Sequence, residues 1–333
     1  MASLVSLRTA LPPHPLPQDQ ARTLAARAFG DRPSLALFDR SGVGQRWLPY
    51  PPDDYLAPRG FEERNARALR AALELAETAS REALSAAGRR PEEVDHLFAV
   101  TTTHLATPSL DARLVARLGL RADVRRWPLF GLGCAGGAGA LLRASAVEGL
   151  SLVVAVETSS LVFSHEALEA VDLVGAALFG DGAAAAVVGP GPGPRIAAGR
   201  TVLFEDTDRL MGWGFGADGF RLRLTPEVTR FVAERFGPVV DDFLRAQGLS
   251  RKDVRLWALH PGGRRILEAY ASALGLGEGL RHARASLAAV GNVASASVLF
   301  VLAEAMAEAR PGDRALVAAL GPGFAAELAL LEW

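Results

Sequence analysis

Three residue types that together support acyl transfer occur far apart in the chain, each at a glycine-rich point. Cys134 lies in Gly-Leu-Gly-Cys-Ala-Gly-Gly, His260 is followed by Pro-Gly-Gly, and Asn292 follows a glycine. A cysteine thiolate is a strong nucleophile, and imidazole and carboxamide N–H groups stabilise the oxyanions that form during acyl transfer. We therefore interpret Cys134, His260 and Asn292 as candidate catalytic residues.

Each of these residues also has an ordinary structural interpretation. A lone cysteine is often a small buried hydrophobe, a histidine after a strand can be a core residue, and an asparagine before a helix can cap it. Gly136 and Gly137 weaken the helix after Cys134 by about 1 kcal/mol each, which favours a functional reason for that sequence. A helix N-terminus there would lower the thiol pKa, so we expect a thiolate.

Composition limits the other classes of function. The 333 residues are half hydrophobic and 22% charged with a net charge of -1, which excludes a disordered chain and gives no overall field for nucleic acid. One cysteine excludes an internal disulfide, and six scattered histidines predict no metal site. The sequence has no uninterrupted apolar run long enough to predict a membrane-spanning helix, so we expect a soluble cytoplasmic protein.

The chain contains an internal repeat. The strand-like Val94–Val100 and the helical pattern after it return as Val254–His260 and its helix. The helical run that Cys134 opens returns as the run that Asn292 opens, at nearly the same offset. Gly189–Pro194, which is made only of glycine and proline, reads as the connection between the repeats.

Short apolar runs that alternate with amphipathic helical patterns predict an α/β fold with largely parallel strands. We expect two duplicated halves, residues 1–190 with the nucleophilic cysteine and residues 195–333 with the histidine and asparagine. In such a pseudo-twofold arrangement, Cys134 and Asn292 occupy matching places and point at one shared centre.

Five motifs occur in a characteristic order. They are Gly133-Cys134-Ala-Gly-Gly, Leu178-Phe-Gly-Asp-Gly-Ala, His260-Pro-Gly-Gly, Gly291-Asn-Val-Ala-Ser and Gly321-Pro-Gly-Phe. Together they resemble the type III polyketide synthases, the chalcone and stilbene synthase superfamily. The segments 106–113 and 128–134 resemble the bacterial branch that makes alkylpyrones and alkylresorcinols.

The resemblance implies a thiolase-like, five-layered α-β-α-β-α fold and a homodimer. It implies that Cys134 holds the acyl group of an acyl-CoA starter, which we expect to be a medium- to long-chain fatty acyl group. It also implies that His260 and Asn292 stabilise the enolate from decarboxylated malonyl-CoA. Cyclisation would then give an alkylpyrone or alkylresorcinol. CoA thioesters are the substrates and no cofactor is implied.

The resemblance also assigns residues around the substrate. Phe179 corresponds to the gatekeeper between CoA tunnel and cavity, Phe220 to a second such aromatic, and Arg40 to a basic CoA contact. Thr107 stands where plant members have a methionine that reaches into the partner subunit. The resemblance implies that the cavity is lined by side chains small enough to leave room for a long starter or polyketide, namely Ser159, Val162, Gly175 and Ala294. The last glycine-rich loop adds Gly321, Pro322 and Gly323 to the substrate site.

Two other functions remain open from the sequence. A 3-ketoacyl-carrier-protein synthase III would perform a single condensation on a protein-bound malonyl group, and Arg264, Arg265, Arg281 and Arg284 could dock its acidic carrier. A non-catalytic thiolase-like partner subunit would only shape another subunit's cavity. Such partners typically lack the nucleophile, whereas Cys134 is present.

Overall fold

The computed structural model describes residues 2–164 and 170–333. These residues form an α/β fold with one large mixed sheet and two small two-stranded antiparallel sheets. The strands are β1 Ser3–Ala10, β2 His14–Pro17, β3 Gln45–Leu48, β4 His96–Val100, β5 Arg125–Leu129, β6 Ser151–Thr158, β7 Asp181–Gly189, β8 Arg195–Leu203, β9 Met211–Gly216, β10 Gly219–Leu224, β11 Leu256–Leu259, β12 Arg314–Gly321 and β13 Ala325–Glu332.

Helices of very different length connect the strands. The longest, α3, has an apolar face of alanines and leucines that packs against β1, β6 and β7. The helices are α1 Gln18–Phe29, α2 Ala36–Arg40, α3 Phe61–Ala86, α4 Leu110–Leu118, α5 Gly136–Ser145, α6 Ala170–Leu178, α7 Glu227–Arg245, α8 Arg264–Leu274, α9 Arg281–Val290 and α10 Ser297–Met306.

The order of the large sheet shows the duplication. It runs β11-β12-β13-β8-β1-β7-β6-β4-β5, so the two halves are mirrored about the contact between β8 and β1. In the first half, β4 is parallel to β6, while β6–β7 and β7–β1 are antiparallel. In the second half, β11 is parallel to β12, while β12–β13 and β13–β8 are antiparallel. A single residue pair, Ser3 and Arg195, joins β1 to β8.

The prediction of largely parallel strands is wrong. In the large sheet, the described residues form parallel pairs at β4–β5, β4–β6 and β11–β12, and the other pairs are antiparallel. The strands β7 and β13 reverse direction, and an uninterrupted apolar run does not reveal strand direction because buried strands of either kind have it. The boundaries 1–190 and 195–333 stay a prediction.

Two helices form the central layer of the five-layered thiolase-like fold. α5 packs against β6 of the first half and β13 of the second, and α10 packs against α5 and β11. α5 and α10 are also the helices that follow Cys134 and Asn292. Cys134 and Asn292 therefore precede two helices that are buried between the halves, which brings both residues to the middle of the molecule.

Candidate active site

Cys134 lies in a tight turn at the start of the central helix α5. Residues Gly133–Ala135 form a 3₁₀ turn that continues directly into the helix, and the cysteine is 6% exposed. A Cβ atom on Gly133, whose φ is +50°, would lie 2.5 Å from Pro322 Cδ. The turn can approach the last glycine-rich loop only because residue 133 is glycine.

Asn292 lies at the corresponding point before α10, and its carboxamide has a defined orientation. The Ala294 N–H donates to Oδ1 at 2.9 Å, and the Ser297 hydroxyl donates to the same oxygen at 3.2 Å. Because the oxygen is used in this way, the amide N–H₂ group is available on the other side. The Asn292 side chain also acts on the Cys134 thiol through a hydrogen-bond interaction that lowers the thiol pKa.

Two glycines allow the turns of Cys134 and Asn292 to meet. A Cβ on Gly137 would lie 2.3 Å from the carbonyl oxygen of Ser295, and one on Gly136 would lie 3.1 Å from Ser295 Cβ. Ser295 belongs to the 3₁₀ turn Ala294–Ala296 that precedes α10. The predicted shared centre of Cys134 and Asn292 therefore has a physical basis in the close approach of two backbones.

His260 follows β11 and is buried, with 3% exposed. Its backbone N–H donates to Ala318 O at 2.9 Å, whereas neither ring nitrogen has a hydrogen-bond partner among the described residues. A Cβ on Gly263, in the turn after His260, would lie 3.0 Å from Leu178 Cδ2. The carbonyl of Leu178 in turn accepts a hydrogen bond from the Asn292 backbone at 2.9 Å, so the histidine turn contacts the segment that holds Asn292.

The electrostatics of the thiol differ from the expectation. Burial, with a smaller contribution from the Glu157 carboxylate, raises the pKa of Cys134 to about 12, although the Asn292 hydrogen bond and the backbone of the turn act in the opposite direction. Burial also lowers the pKa of His260 to about 3. The predicted lowering of the thiol pKa is wrong, because desolvation outweighs the helix N-terminus. Cys134 is therefore a neutral thiol and His260 a neutral imidazole at ordinary pH.

The sequence analysis missed Glu157, a buried carboxylate at the end of β6. Its oxygens accept hydrogen bonds from the Thr102 N–H at 3.0 Å, the Thr102 hydroxyl at 3.1 Å and the Thr103 hydroxyl at 2.8 Å, and from the Ser295 hydroxyl. Burial raises the pKa of Glu157 despite these bonds. A glutamate within an otherwise apolar strand was the signal that could have identified it.

Aromatic rings extend from Asn292 toward the hairpin of β9 and β10. Phe179 forms a β-bridge with Asn292, and its ring centroid lies 6.5 Å from that of Trp213. Trp213 lies 5.6 Å from Phe220, which lies 6.1 Å from Phe61. The two predicted aromatics thus belong to one row, and Trp213, which the sequence analysis did not identify, lies between them.

The predicted cavity residues have different surroundings. Ser159 and Val162 are buried in the turn that follows β6, and Ala294 has a left-handed φ of +40° beside Asn292. Beside Gly175 there is little room, because an added Cβ would lie 2.6 Å from Phe163 Cζ and 2.9 Å from Leu222 Cδ2. The space that we expected there is filled by these two side chains.

The remaining predicted residues lie at the surface or at the last glycine-rich loop. Thr107 and Arg40 are exposed. A Cβ on Gly321 would lie 2.3 Å from Leu132 O and 2.8 Å from Ala135 N, so the end of β12 packs directly on the nucleophile turn. Pro322 and Gly323 continue this loop, and the next backbone N–H, of Phe324, donates to the Thr207 hydroxyl at 2.7 Å.

Metal and membrane sites have no support in the part of the chain that the structure describes. Within residues 2–164 and 170–333, no three His, Cys, Asp or Glu side chains are grouped so that they could hold a metal ion. None of the helices described above is long and apolar enough to cross a membrane.

Comparison with known protein families and structures gives consistent matches. Residues 55–192 match the chalcone and stilbene synthases, N-terminal domain, and residues 244–333 match the C-terminal domain of 3-oxoacyl-[acyl-carrier-protein] synthase III. The chain is 40% identical to a 1,3,6,8-tetrahydroxynaphthalene synthase of Streptomyces peucetius subsp. caesius, over 99% of this chain and 93% of that protein.

Two further proteins show the same relationship. A 3,5-dihydroxyphenylacetyl-CoA synthase of Streptomyces toyocaensis is 31% identical over 94% of this chain and 86% of its own length. The crystal structure of the tetrahydroxynaphthalene synthase of Streptomyces coelicolor A3(2), described as a bacterial type III polyketide synthase, superposes with a TM-score of 0.94. That chain is 31% identical, and the match covers 99% of both chains.

Proposed function

The chain belongs to the chalcone and stilbene synthase family of type III polyketide synthases, which are condensing acyltransferases, and from this premise we propose how its own residues act. Cys134 carries the growing acyl chain, and His260 and Asn292 activate malonyl-CoA. The observation that supports this best is the close approach of the Cys134 and Asn292 turns where the two halves meet, which lets the Asn292 side chain act on the Cys134 thiol.

The first step loads Cys134. The Cys134 sulfur attacks the carbonyl carbon of a CoA thioester while a ring nitrogen of neutral His260 takes the thiol proton. The carbon–sulfur bond to CoA breaks, and the departing CoA sulfur receives the proton from His260. The lowered pKa of His260 keeps its imidazole neutral at ordinary pH, so a ring nitrogen can accept a proton. Because a lowered pKa also makes His260 a weak base, the transfer is driven by the carbon–sulfur bond that forms in the same step.

The second step forms the carbon nucleophile. Malonyl-CoA loses CO₂, and the electron pair of the broken bond gives an enolate whose negative oxygen receives hydrogen bonds from His260 and from the Asn292 N–H₂ group. The enolate carbon then attacks the carbonyl carbon of the Cys134 thioester. The bond to sulfur breaks, and the thiolate that leaves takes a proton from water, consistent with its raised pKa.

For the product, we propose that malonyl-CoA serves as both starter and extender and that the chain closes to an aromatic ring without an alkyl tail. Two observations support a short starter: Phe163 and Leu222 fill the space beside Gly175, and Trp213 stands in the row between Phe179 and Phe220. The name of the relative from S. peucetius specifies tetrahydroxynaphthalene, a product without an alkyl chain.

The second candidate is the one favoured by segments 106–113 and 128–134, a medium- to long-chain fatty acyl starter that ends as an alkylpyrone or alkylresorcinol. One experiment separates the two candidates. The purified protein is incubated with malonyl-CoA alone and with malonyl-CoA plus acyl-CoAs of graded length, and products are identified by mass. We expect a product from malonyl-CoA alone; products that form only when an acyl-CoA is added would instead establish the fatty starter.

The same incubation tests the other functional classes. Turnover with free malonyl-CoA and no carrier protein excludes a carrier-dependent single condensation. If no CoA thioester acylates Cys134, the protein is a non-catalytic partner.

Starter length can be tested by mutation. Replacing Leu222 by alanine is expected to open the space beside Gly175 and to increase the use of longer starters, whereas the matched change Leu224→Ala in the same strand is expected to leave starter length unchanged.

We further propose a homodimer that forms near Thr107. Three of the large apolar side chains that remain exposed in the single chain lie near Thr107 in sequence, on the edge strand β5 or directly after it. Leu105 and Trp127 are each 40% exposed and Phe130 is 48% exposed. Exposed apolar groups that lie together mark an interface. Analytical sedimentation should give a molecular mass twice that of the monomer. The variant Trp127→Arg should give a mass closer to that of the monomer.

A further inference from the structure

We propose that Arg46 is a positioning residue for the condensation, which fixes Asn292 and Phe179 through the backbone at the end of α6. The inference rests on the proposed function, in that Asn292 stabilises the enolate. Arg46 itself lies in β3, outside the five motifs, and does not contact Cys134. Its effect would therefore pass through hydrogen bonds to the segment that both Asn292 and Phe179 contact.

The Arg46 guanidinium is buried among carbonyl groups. The residue is 4% exposed. One terminal nitrogen donates to the carbonyl oxygen of Ala176 and, at 2.9 Å, to that of Phe179. The other donates to the carbonyl oxygen of Ala177 at 2.9 Å and to Gln18 Oε1. Four acceptors from two parts of the chain thus surround one cation.

The end of α6 needs these donors. The last carbonyl groups of a helix have no partner within the helix and carry its partial negative charge. The Phe179 N–H donates to Gly175 O at 2.8 Å, which leaves the carbonyls of Ala176 and Ala177 for Arg46. Burial lowers the pKa of Arg46 to about 10, and Asp181 acts in the opposite direction, so the guanidinium is charged at neutral pH.

Asn292 is held by the same short segment. Its backbone N–H donates to Leu178 O at 2.9 Å, and its carbonyl accepts from the Gly180 N–H at 2.9 Å. Along the segment 177–180, the partners alternate: residues 177 and 179 bond to Arg46, and residues 178 and 180 bond to Asn292. A Cβ on Gly180 would lie 2.1 Å from Val290 O, so the segments are too close to shift independently. A displaced 176–180 segment would therefore carry Asn292 and the Phe179 ring with it.

Gln18 connects this segment to a second region of the substrate site. Its Nε2 donates to Phe38 O at 3.1 Å, to Ser41 Oγ at 2.9 Å and to Ala177 O at 2.9 Å. Arg40, the predicted CoA contact, lies between the first two of these acceptors in the chain. The Gln18–Arg46 pair thus ties the backbone around Arg40 to the backbone that holds Asn292.

Arg46→Met and Arg46→Lys test the proposal, with Arg251→Met as the matched control. Arg251 is also partly buried and bonded to both a carbonyl and a side chain, namely Ala273 O at 3.1 Å and the Asp241 carboxylate at 2.6 and 2.7 Å, but it lies outside the site. For each variant, three quantities are measured: kcat and KM for CO₂ release from malonyl-CoA, the alkylation rate of Cys134, and backbone hydrogen exchange of residues 178–182 and 290–294.

We expect Arg46→Met to lower kcat for CO₂ release by about 10- to 100-fold, because a small displacement of a catalytic group has effects of that size. Alkylation of Cys134 should slow by less than in Asn292→Ala, because Asn292 is displaced but not removed. Exchange at Gly180 and Asn292 should become faster, and Arg46→Lys should recover part of the loss. Arg251→Met should lower the melting temperature and leave kcat unchanged.

A folded Arg46→Met protein with unchanged kcat and unchanged exchange at Gly180 and Asn292 would overturn the proposal. So would a loss of kcat in Arg251→Met as large as that in Arg46→Met, because the effect would then follow from stability alone. If the wild-type protein releases no CO₂, the proposed function has failed. The exchange measurement then still decides whether Arg46 holds the Asn292 segment.

Discussion

Gly137 and Ser295 approach so closely that a Cβ on the glycine would lie 2.3 Å from the serine carbonyl oxygen. This contact joins the helix that follows Cys134 to the turn that follows Asn292. The two residues belong to different halves of the duplicated fold, and their contact limits the distance between the turns of Cys134 and Asn292. Substitution at this point should therefore affect catalysis as well as stability.

Gly137→Ala is expected to force the two turns apart. Overpacking of this kind typically costs about 1–3 kcal/mol of unfolding free energy, and we expect CO₂ release to fall further than the loss of folded protein explains. Gly60→Ala is the control, since nothing lies within 4 Å of a Cβ added there. Thermal unfolding and activity at a temperature where both variants are folded provide the measurement; an active Gly137→Ala protein would contradict the prediction.

Glu157→Gln is expected to lower the pKa of the Cys134 thiol, because the variant removes a buried negative charge that disfavours the thiolate. The thiolate fraction rises as pH rises through the pKa, so the alkylation rate should reach half its maximum at a lower pH than in the wild type. Cys134 is the single cysteine of the chain, so iodoacetamide labelling reports on it alone.

Glu327→Gln provides the comparison for that experiment. Glu327 is also buried and hydrogen-bonded, to Arg143 at 3.2 Å and Thr201 at 2.6 Å, but its charge does not contribute to the pKa of Cys134. The alkylation profile of this variant should match the wild type. An equal shift in both variants would indicate a general loosening of the structure rather than the field of Glu157.

Asn292→Ala is expected to reduce CO₂ release from malonyl-CoA by about 10²–10³-fold, the usual effect of removing one oxyanion donor. It should also move the alkylation profile of Cys134 to higher pH, opposite to Glu157→Gln, because the lost hydrogen bond lowers the thiol pKa. Ser297→Ala removes only one of the two donors to Asn292 Oδ1 and should have a smaller effect. A larger effect in Ser297→Ala would argue against direct action of Asn292.

His104→Gln is expected to reduce the sensitivity of the fold to acid. Burial lowers the pKa of His104 to about 4, whereas the unfolded chain binds the proton near pH 6.5. The unfolded state therefore gains a proton first, and the wild type loses about 1.4 kcal/mol of stability from this group between pH 7.5 and 5.5. Urea unfolding at both pH values should show that loss to be smaller in the variant; an equal loss would contradict the assignment.

Local sequence was sufficient to predict the pieces of the site that depend on close backbone approach. Gly136 and Gly137 cannot be explained by helix preference, and the structure shows what they make room for. Cys134 and Asn292 could be paired from the repeat because each opens a helix of the central layer. The duplicated fold was predictable for the same reason.

Properties that arise only from the surroundings in three dimensions could not be predicted. The helix N-terminus beside Cys134 is a local feature, but the burial that raises the thiol pKa exists only in the folded chain. Glu157 obtains its donors from Thr102, Thr103 and Ser295, which are distant in the chain. Phe163 and Leu222 fill the space at Gly175 for a similar reason, and no spacing in the sequence encodes that contact.

The division of the site between the two halves has a consequence for synthesis on the ribosome. The nucleophile emerges with the first half, whereas Asn292 and the loop at Gly321 that covers its turn are translated much later. Until those segments have been translated and have folded, the sulfur of Cys134 is not buried, so its pKa is not raised by desolvation. The nascent polypeptide is therefore more open to oxidation at this sulfur than the finished enzyme, and it gains protection and competence for catalysis in the same event.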